Sequence, residues 1–332
     1  MKLKDEIRGL LYNSQEVIKK MGFRKRRNKD DSQTIITSHE KIINRLAVID
    51  LETGARHQTN ITSKVNESIE DMLWHDGGLW IATDKRVYNP DSEREIKCSA
   101  QHFVTLDKKL YAHNHEEIFD VNTGDIKIDK KDCKSAGILS ILAVVPYKKG
   151  LLALATTPYE KHGGDYNTLE YFFIEKGKTA WSIDHLAQHP GSEKRDFPFW
   201  HDVGPQHRPL MINVNGFILS TSGWCYGKVF VQKDVTKEPV NKLKLTDCAR
   251  FFAYDKTRKR LFAKVLGPPN YCIYDLTINR RTLSMGKTCE RFDDNFSYDE
   301  TKGITSFLYI TKSQMDELLR KRAQNPVQEE LW

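Results

Sequence analysis

An all-β chain built from repeated four-stranded units is the fold class this sequence predicts, and three observations lead there. From about Gln33 onward, short runs of apolar, β-branched and aromatic residues alternate with turn residues, the pattern of half-buried strands. Several of these runs end in the same polar turn, as in Ala47-Val-Ile-Asp-Leu-Glu-Thr-Gly54, Glu117-Ile-Phe-Asp-Val-Asn-Thr-Gly124 and Cys272-Ile-Tyr-Asp-Leu-Thr-Ile-Asn279. The residues opening the turns, Asp50, Asn89, Asp120, Glu175, Gln232 and Asp275, stand 39, 31, 55, 57 and 43 residues apart. Several of those intervals match the length of one four-stranded unit.

The first 30 residues hold ten Lys and Arg against four Asp and Glu, while the other 302 hold 42 against 41, so nearly all of the formal charge of +7 lies at the N-terminus. Leu3, Ile7, Leu10, Leu11, Val17, Ile18 and Met21 recur at roughly helical spacing. Residues 1–31 are therefore expected to be an amphipathic helix followed by a basic linker. Arg24, Lys25, Arg26, Arg27 and Lys29 are its candidate phosphate contacts, since nucleic-acid binders owe affinity to basic surfaces that displace counterions. A helix packed on the body, with a solvated linker, is the plainer reading.

Residues 32–311 supply the repeat. Ahead of most turn anchors lie two further apolar runs, such as Ile69-Glu-Asp-Met-Leu-Trp74 with Leu79-Trp-Ile-Ala-Thr83, and His102-Phe-Val-Thr-Leu106 with Leu110-Tyr-Ala-His113. With the stretch after each turn, four strands make one unit. Such units bury their faces against their neighbours in a β-propeller, which disposes of exposed edges by closing into a ring. Five units are complete. A sixth is assembled from the hairpin of residues 45–58 and strands within 295–309, with seven as the alternative count. Asp76-Gly-Gly-Leu-Trp-Ile-Ala-Thr-Asp-Lys-Arg-Val-Tyr-Asn-Pro90 resembles blades of two-component-regulator propellers. Leu110-Tyr-Ala-His-Asn-His-Glu-Glu-Ile-Phe-Asp-Val-Asn-Thr-Gly124 is similar to quinoprotein-like and other YVTN-type repeats. The resemblance spans roughly residues 34–310; the Gly-His and Trp-Asp signature of WD40 repeats is absent. Two β-sandwich domains would explain the strands but not their grouping in fours. Residues 312–332 read as a C-terminal helix, with Ser313 as N-cap, and a tail.

With strands lettered a to d from the axis outward, the b–c and d–a connections of a propeller emerge on one face. Here those connections are long: residues 157–168 with Tyr159, His162 and Tyr166, residues 222–227 with Trp224 and Tyr226, and residues 185–208 with His185, His189, Trp200, His201, Asp202 and His207. Long loops inside a compact body are commonly functional. Tyr159, Tyr166, Trp200, His201, Asp202, His207, Trp224 and Tyr226 are accordingly the candidate partner-binding residues, aromatic anchors being typical of interfaces.

The phosphate-loop, dinucleotide, zincin, EF-hand and nucleophile-elbow patterns are missing. Six scattered cysteines form no zinc spacing or disulfide framework and suit a reducing compartment, so a cytoplasmic location is expected. No cofactor is implied. The expectation is a non-catalytic scaffold for a protein or peptide. The competing reading is a hydrolase- or lyase-type propeller enzyme using His113, His115, His162, His201 or His207 near the axis, the first four being candidate metal ligands. RNA association through the basic arm is the third.

Overall fold

The computed structural model describes residues 7–25, 34–50, 52–53, 55–92, 94–158, 167–177, 180–192, 211–221, 228–244, 249–265, 271–291 and 307–324. The described residues begin with β1 (Ile7–Lys25), β2 (Thr34–Asp50) and β3 (Arg56–Thr62), strands of the first sheet. The second sheet is β4 (Ile69–His75), β5 (Gly78–Thr83), β6 (Val87–Asn89) and β7 (Arg94–Ile96). The third is β8 (His102–Leu106), β9 (Lys109–His113), β10 (Ile118–Asp120) and β11 (Ile126–Ile128), followed by helix α1 (Lys130–Ser135). The fourth is β12 (Ser140–Tyr147), β13 (Gly150–Pro158), β14 (Asn167–Lys176) and β15 (Trp181–Gln188). The fifth is β16 (Met211–Val214), β17 (Phe217–Thr221), β18 (Lys228–Gln232) and β19 (Asn241–Lys244). The sixth is β20 (Ala249–Asp255), β21 (Arg260–Val265), β22 (Tyr271–Ile278) and β23 (Leu283–Arg291). Finally β24 (Phe307–Thr311) returns to the first sheet and leads into α2 (Lys312–Gln324).

All six sheets are four-stranded and antiparallel. Five run in chain order, a to d; the first has the order β24-β1-β2-β3, its a position filled by the last strand of the chain. Leading strands lie beside one another in series: β24 by β4, β4 by β8, β8 by β12, β12 by β16, β16 by β20, and β20 by β24. Period-2 alternation explains why the b strands read as unbroken apolar runs. In β13, Leu151, Ala153 and Ala155 pack towards the third sheet while Leu152 and Leu154 pack towards the fifth. In β5, Leu79 and Ile81 face the first sheet, and Trp80 and Ala82 the third. Because both faces of each such strand are covered, no polar alternation survives there.

The turns obey the same local logic. Asp76-Gly77, Asp107-Lys108 and Asn215-Gly216 all have positive φ at both positions, the geometry whose twist suits two-residue hairpins. At the c–d turns, Asp50 Oδ1 accepts from the amides of Glu52 and Thr53, and Asp120 Oδ1 from those of Asn122 and Thr123. Thr53 and Thr123 in turn each accept from the amide two residues on, at 3.2 Å in both copies. The recurring Asp thus satisfies amides that the ladder leaves open.

Four expectations are corrected. Residues 7–25 form a strand, not an amphipathic helix. Seventeen register pairs with β2, and five with β24, satisfy its backbone along one or both edges, whereas a lone short helix gains little without a packed face. Residues 7–25 therefore belong to the first sheet, which takes β1 together with β24. β15 extends to Gln188, placing His185 within a strand. At α2 the capping residue is Thr311, not Ser313: Thr311 N–H donates to Gln314 Oε1 at 2.8 Å, and Gln314 N–H to Thr311 Oγ1 at 3.4 Å, a reciprocal box. The C-terminal helix itself is present, and Met315 and Leu318 bury against the first two sheets. Among the described residues, no helix is long and apolar enough to cross a membrane.

Candidate functional site

From the first sheet to the fourth, the links between sheets are hydrogen-bonded along a rim to the strands they join. Ser63 N–H donates to Asn44 O, Ala100 N–H to Thr83 O, Gln101 N–H to His113 O, Leu139 N–H to Thr156 O and His189 N–H to Leu169 O. Each bond ties a link between sheets to a b or c strand. The stems of the two long connections lie along this rim: Pro158 pairs with Asn167 at one, and Thr221 with Val229 at the other.

The rim's electrostatic node is Glu67, in the link between β3 and β4. Its carboxylate, 1% exposed, accepts from Arg86 Nε at 2.7 Å, Arg86 Nη2 at 3.1 Å, Thr83 Oγ1 at 2.8 Å and Lys64 N–H at 2.8 Å. Burial alone would push this carboxyl up. The bonds from Arg86, Lys64 and Thr83, with the guanidinium charge, outweigh burial and hold it below the usual range. The same pairing raises the Arg86 guanidinium further. Arg86 also bridges to Glu95 at 2.7 Å and lies 4.1 Å over the Tyr88 ring. Its donors are therefore committed on three sides, which orients the b–c turn of the second sheet.

In the third sheet, His113 is fully buried, its Nδ1 3.2 Å from Asn114 O and its ring 5.6 Å from that of His102. His115 turns instead to the fourth sheet, with Nδ1 2.8 Å from Ser140 Oγ. The two histidines thus serve different neighbours. Asn114 closes its own turn, accepting from the amides of Glu116 and Glu117. Cys133, in α1, is buried and donates to Glu116 O at 3.3 Å. Burial, with Asp132 and Asp129 nearby, pushes its thiol up to about 12. Among the described residues, no three His, Cys, Asp or Glu side chains gather to hold a metal.

A second polar network is locked between the fourth and fifth sheets. Gly191 N–H donates to His189 Nδ1 at 3.0 Å, so the ring proton of the neutral imidazole sits on Nε2, which donates to Ser220 Oγ at 2.9 Å. Ser220 is 2.7 Å from Tyr171 Oη, which donates to Gln232 Oε1 at 2.9 Å; Gln232 Nε2 ends the chain on the carbonyls of Val235 and Lys237. His189, Tyr171 and Ser220 are all fully buried. This Ser-His pair has the wrong tautomer for general-base chemistry, because the nitrogen facing the hydroxyl already carries the proton. Burial pushes the His189 imidazole down to about 3. His189 therefore stays neutral and bridges two sheets.

His185, on the exposed side of β15, lies 2.9 Å from Glu170 Oε2. Of the expected partner-binding residues, Tyr159, Tyr166, Trp200, His201, Asp202, His207, Trp224 and Tyr226 lie outside the described residues, as do His162, Arg26, Arg27 and Lys29. Arg24 and Lys25 fall at the end of β1. Sequence reading missed the Glu67–Arg86–Glu95 group and the Tyr171–Ser220–His189 chain. Its one signal was Gln232, a turn anchor that proves to be the acceptor ending the buried network.

No family model matches this chain, and no curated protein matches it either.

Proposed function

We propose that the six sheets are the blades of a closed six-bladed propeller, working in the cytoplasm as a non-catalytic scaffold for a protein or peptide partner. The observation that carries the ring is the series of leading strands, which passes from β24 through β4, β8, β12, β16 and β20 and back to β24. The partner face is the hydrogen-bonded rim. Its titratable groups support a scaffold: Glu67 and Arg86 hold each other, and the His189–Ser220 pair is saturated and dry. Cys98 and Cys133 as free thiols fit a reducing compartment. The connections bearing Tyr159, Tyr166, Trp200, Trp224 and Tyr226 start and end at this rim, where aromatic anchors would be held on a rigid base.

Proximity labelling in the source cell, followed by reconstitution with the purified partner, tests the reading. Substituting Trp200→Ala and Trp224→Ala should abolish binding while leaving the circular dichroism spectrum and melting temperature unchanged. Retained binding in a folded double variant defeats it. Stoichiometric metal in the purified protein, lost on His113→Ala or His201→Ala, would favour the hydrolase or lyase alternative instead.

A further inference from the structure

The first sheet is longer than its neighbours. β24 covers the edge of β1 only as far as Tyr12, and β3 covers the edge of β2 only from Arg45. Beyond those points β1 and β2 continue in register to Lys25 and Thr34 as a two-stranded ribbon. At about 3.4 Å per residue the ribbon runs on the order of 35 Å past the sheet. It leaves from the rim, where Asn44 bonds to Ser63 and to Glu67 O. Isolated two-stranded hairpins are marginal in water, so this one calls for a further strand.

Its two edges differ in composition. Residues 14–25 of β1 contain Lys19, Lys20, Arg24 and Lys25 with Gly22, the charged and permissive residues that keep an edge from pairing. Residues 34–43 of β2, Thr-Ile-Ile-Thr-Ser-His-Glu-Lys-Ile-Ile, contain six β-branched residues, no Gly, no Pro and a balanced Glu40 and Lys41. That is the composition of an edge ready to accept another strand. Among the described residues no strand pairs with it.

We infer that the β2 edge of the ribbon pairs antiparallel with the same edge of a second copy, joining two chains through a four-stranded sheet. The strand is complementary to itself. An antiparallel two-fold centred on His39 sets Ile35 opposite Ile43, Ile36 opposite Ile42, Thr37 opposite Lys41, Ser38 opposite Glu40 and His39 opposite its own copy. No like charges face each other, and apolar β-branched pairs close both ends. The contact is isologous, so it ends at two copies instead of growing into fibres. The cationic β1 edges are left on the outside, where they repel further strands.

Sedimentation of the full chain across a concentration series, in nuclease-treated protein, reads this directly. A dimer is expected. The double variant I36K/I42K, which sets lysines opposite one another, should weaken it about 100-fold. Replacing residues 14–43 by an Asn-Gly turn should give a folded monomer, with the melting temperature reporting the body independently of the ribbon. Under mild oxidation H39C should add a reducible cross-linked dimer absent from the unsubstituted protein, and K20C on the opposite edge should not. A monomer at about 100 µM, a dimer surviving both ribbon variants, or cross-linking through K20C overturns the inference. So does a dimer that forms only with added RNA and dissolves with rising salt, which would assign the ribbon to phosphate binding.

Discussion

His189 shows how a single residue ties stability to acidity. An ordinary imidazole gains a proton near pH 6.5, whereas this one, fully buried, does so only near 3. Between those values the unfolded chain binds the extra proton and the folded chain does not, so stability falls as pH drops through that window. Over the whole window the loss is on the order of 4 kcal/mol. Urea unfolding at a series of pH values from 7 to 4 should show this slope in the unsubstituted protein and a shallower one in H189Q. Glu67 makes a second residue-scale contrast. Removing its charge leaves Arg86 buried with only Glu95, so E67Q should cost about 3 kcal/mol. E95Q, whose carboxylate is solvated, should cost clearly less. Chemical denaturation of both variants decides it. Two glycines separate backbone freedom from space. Gly124, at φ +77, has open space for 4 Å around the position a Cβ would take, so G124A should cost about 1 kcal/mol through conformation alone. At Gly150 a Cβ would run into Ile174 O and the Phe173 ring. G150A should therefore be the more damaging, by about 2 kcal/mol or more.

At the scale of elements, the terminal pieces carry the clearest test. β24 supplies the a strand of the first sheet, and α2 buries Met315 and Leu318 in the core shared by the first two sheets. L318A should cost about 3 kcal/mol in thermal melts, as a buried Leu does. T311A should cost about 1 kcal/mol through the lost cap. The strands and turns were legible in the sequence because their signals are local: an unbroken apolar run in β13, Asp at the c–d turns, paired positive-φ residues at the hairpins. The misread element was β1. Its apolar residues suit a helix in isolation, and only the partner strands, one of them some 300 residues away in sequence, settle its conformation. The helix α1 was overlooked for a different reason. Its six residues leave too short a period to see, although Asp129 and Asp132 form a capping box. The candidate site was legible only as a face: loop lengths pointed to the rim, but the Glu67–Arg86 and His189–Ser220 pairings join residues 19 and 31 positions apart, which no spacing rule foretells.

For the whole molecule, stability is distributed over interfaces between consecutive sheets, each with its own apolar cluster. Cys133 belongs to the cluster joining the third and fourth sheets. With its thiol pushed up to about 12 and buried, alkylation at neutral pH should wait for those sheets to part. Labelling rates measured against denaturant should track global unfolding; fast modification in native buffer would show that the two sheets separate on their own. The pairing of β1 with β24 has a consequence for biosynthesis. As the chain leaves the ribosome, Ile7 to Tyr12 emerge some 300 residues ahead of their neighbours Phe307 to Thr311. The five sheets between them can assemble in the meantime, but the first must hold an unfilled berth until β24 arrives. Chaperone attention during that interval would fall on the strand left waiting for its partner.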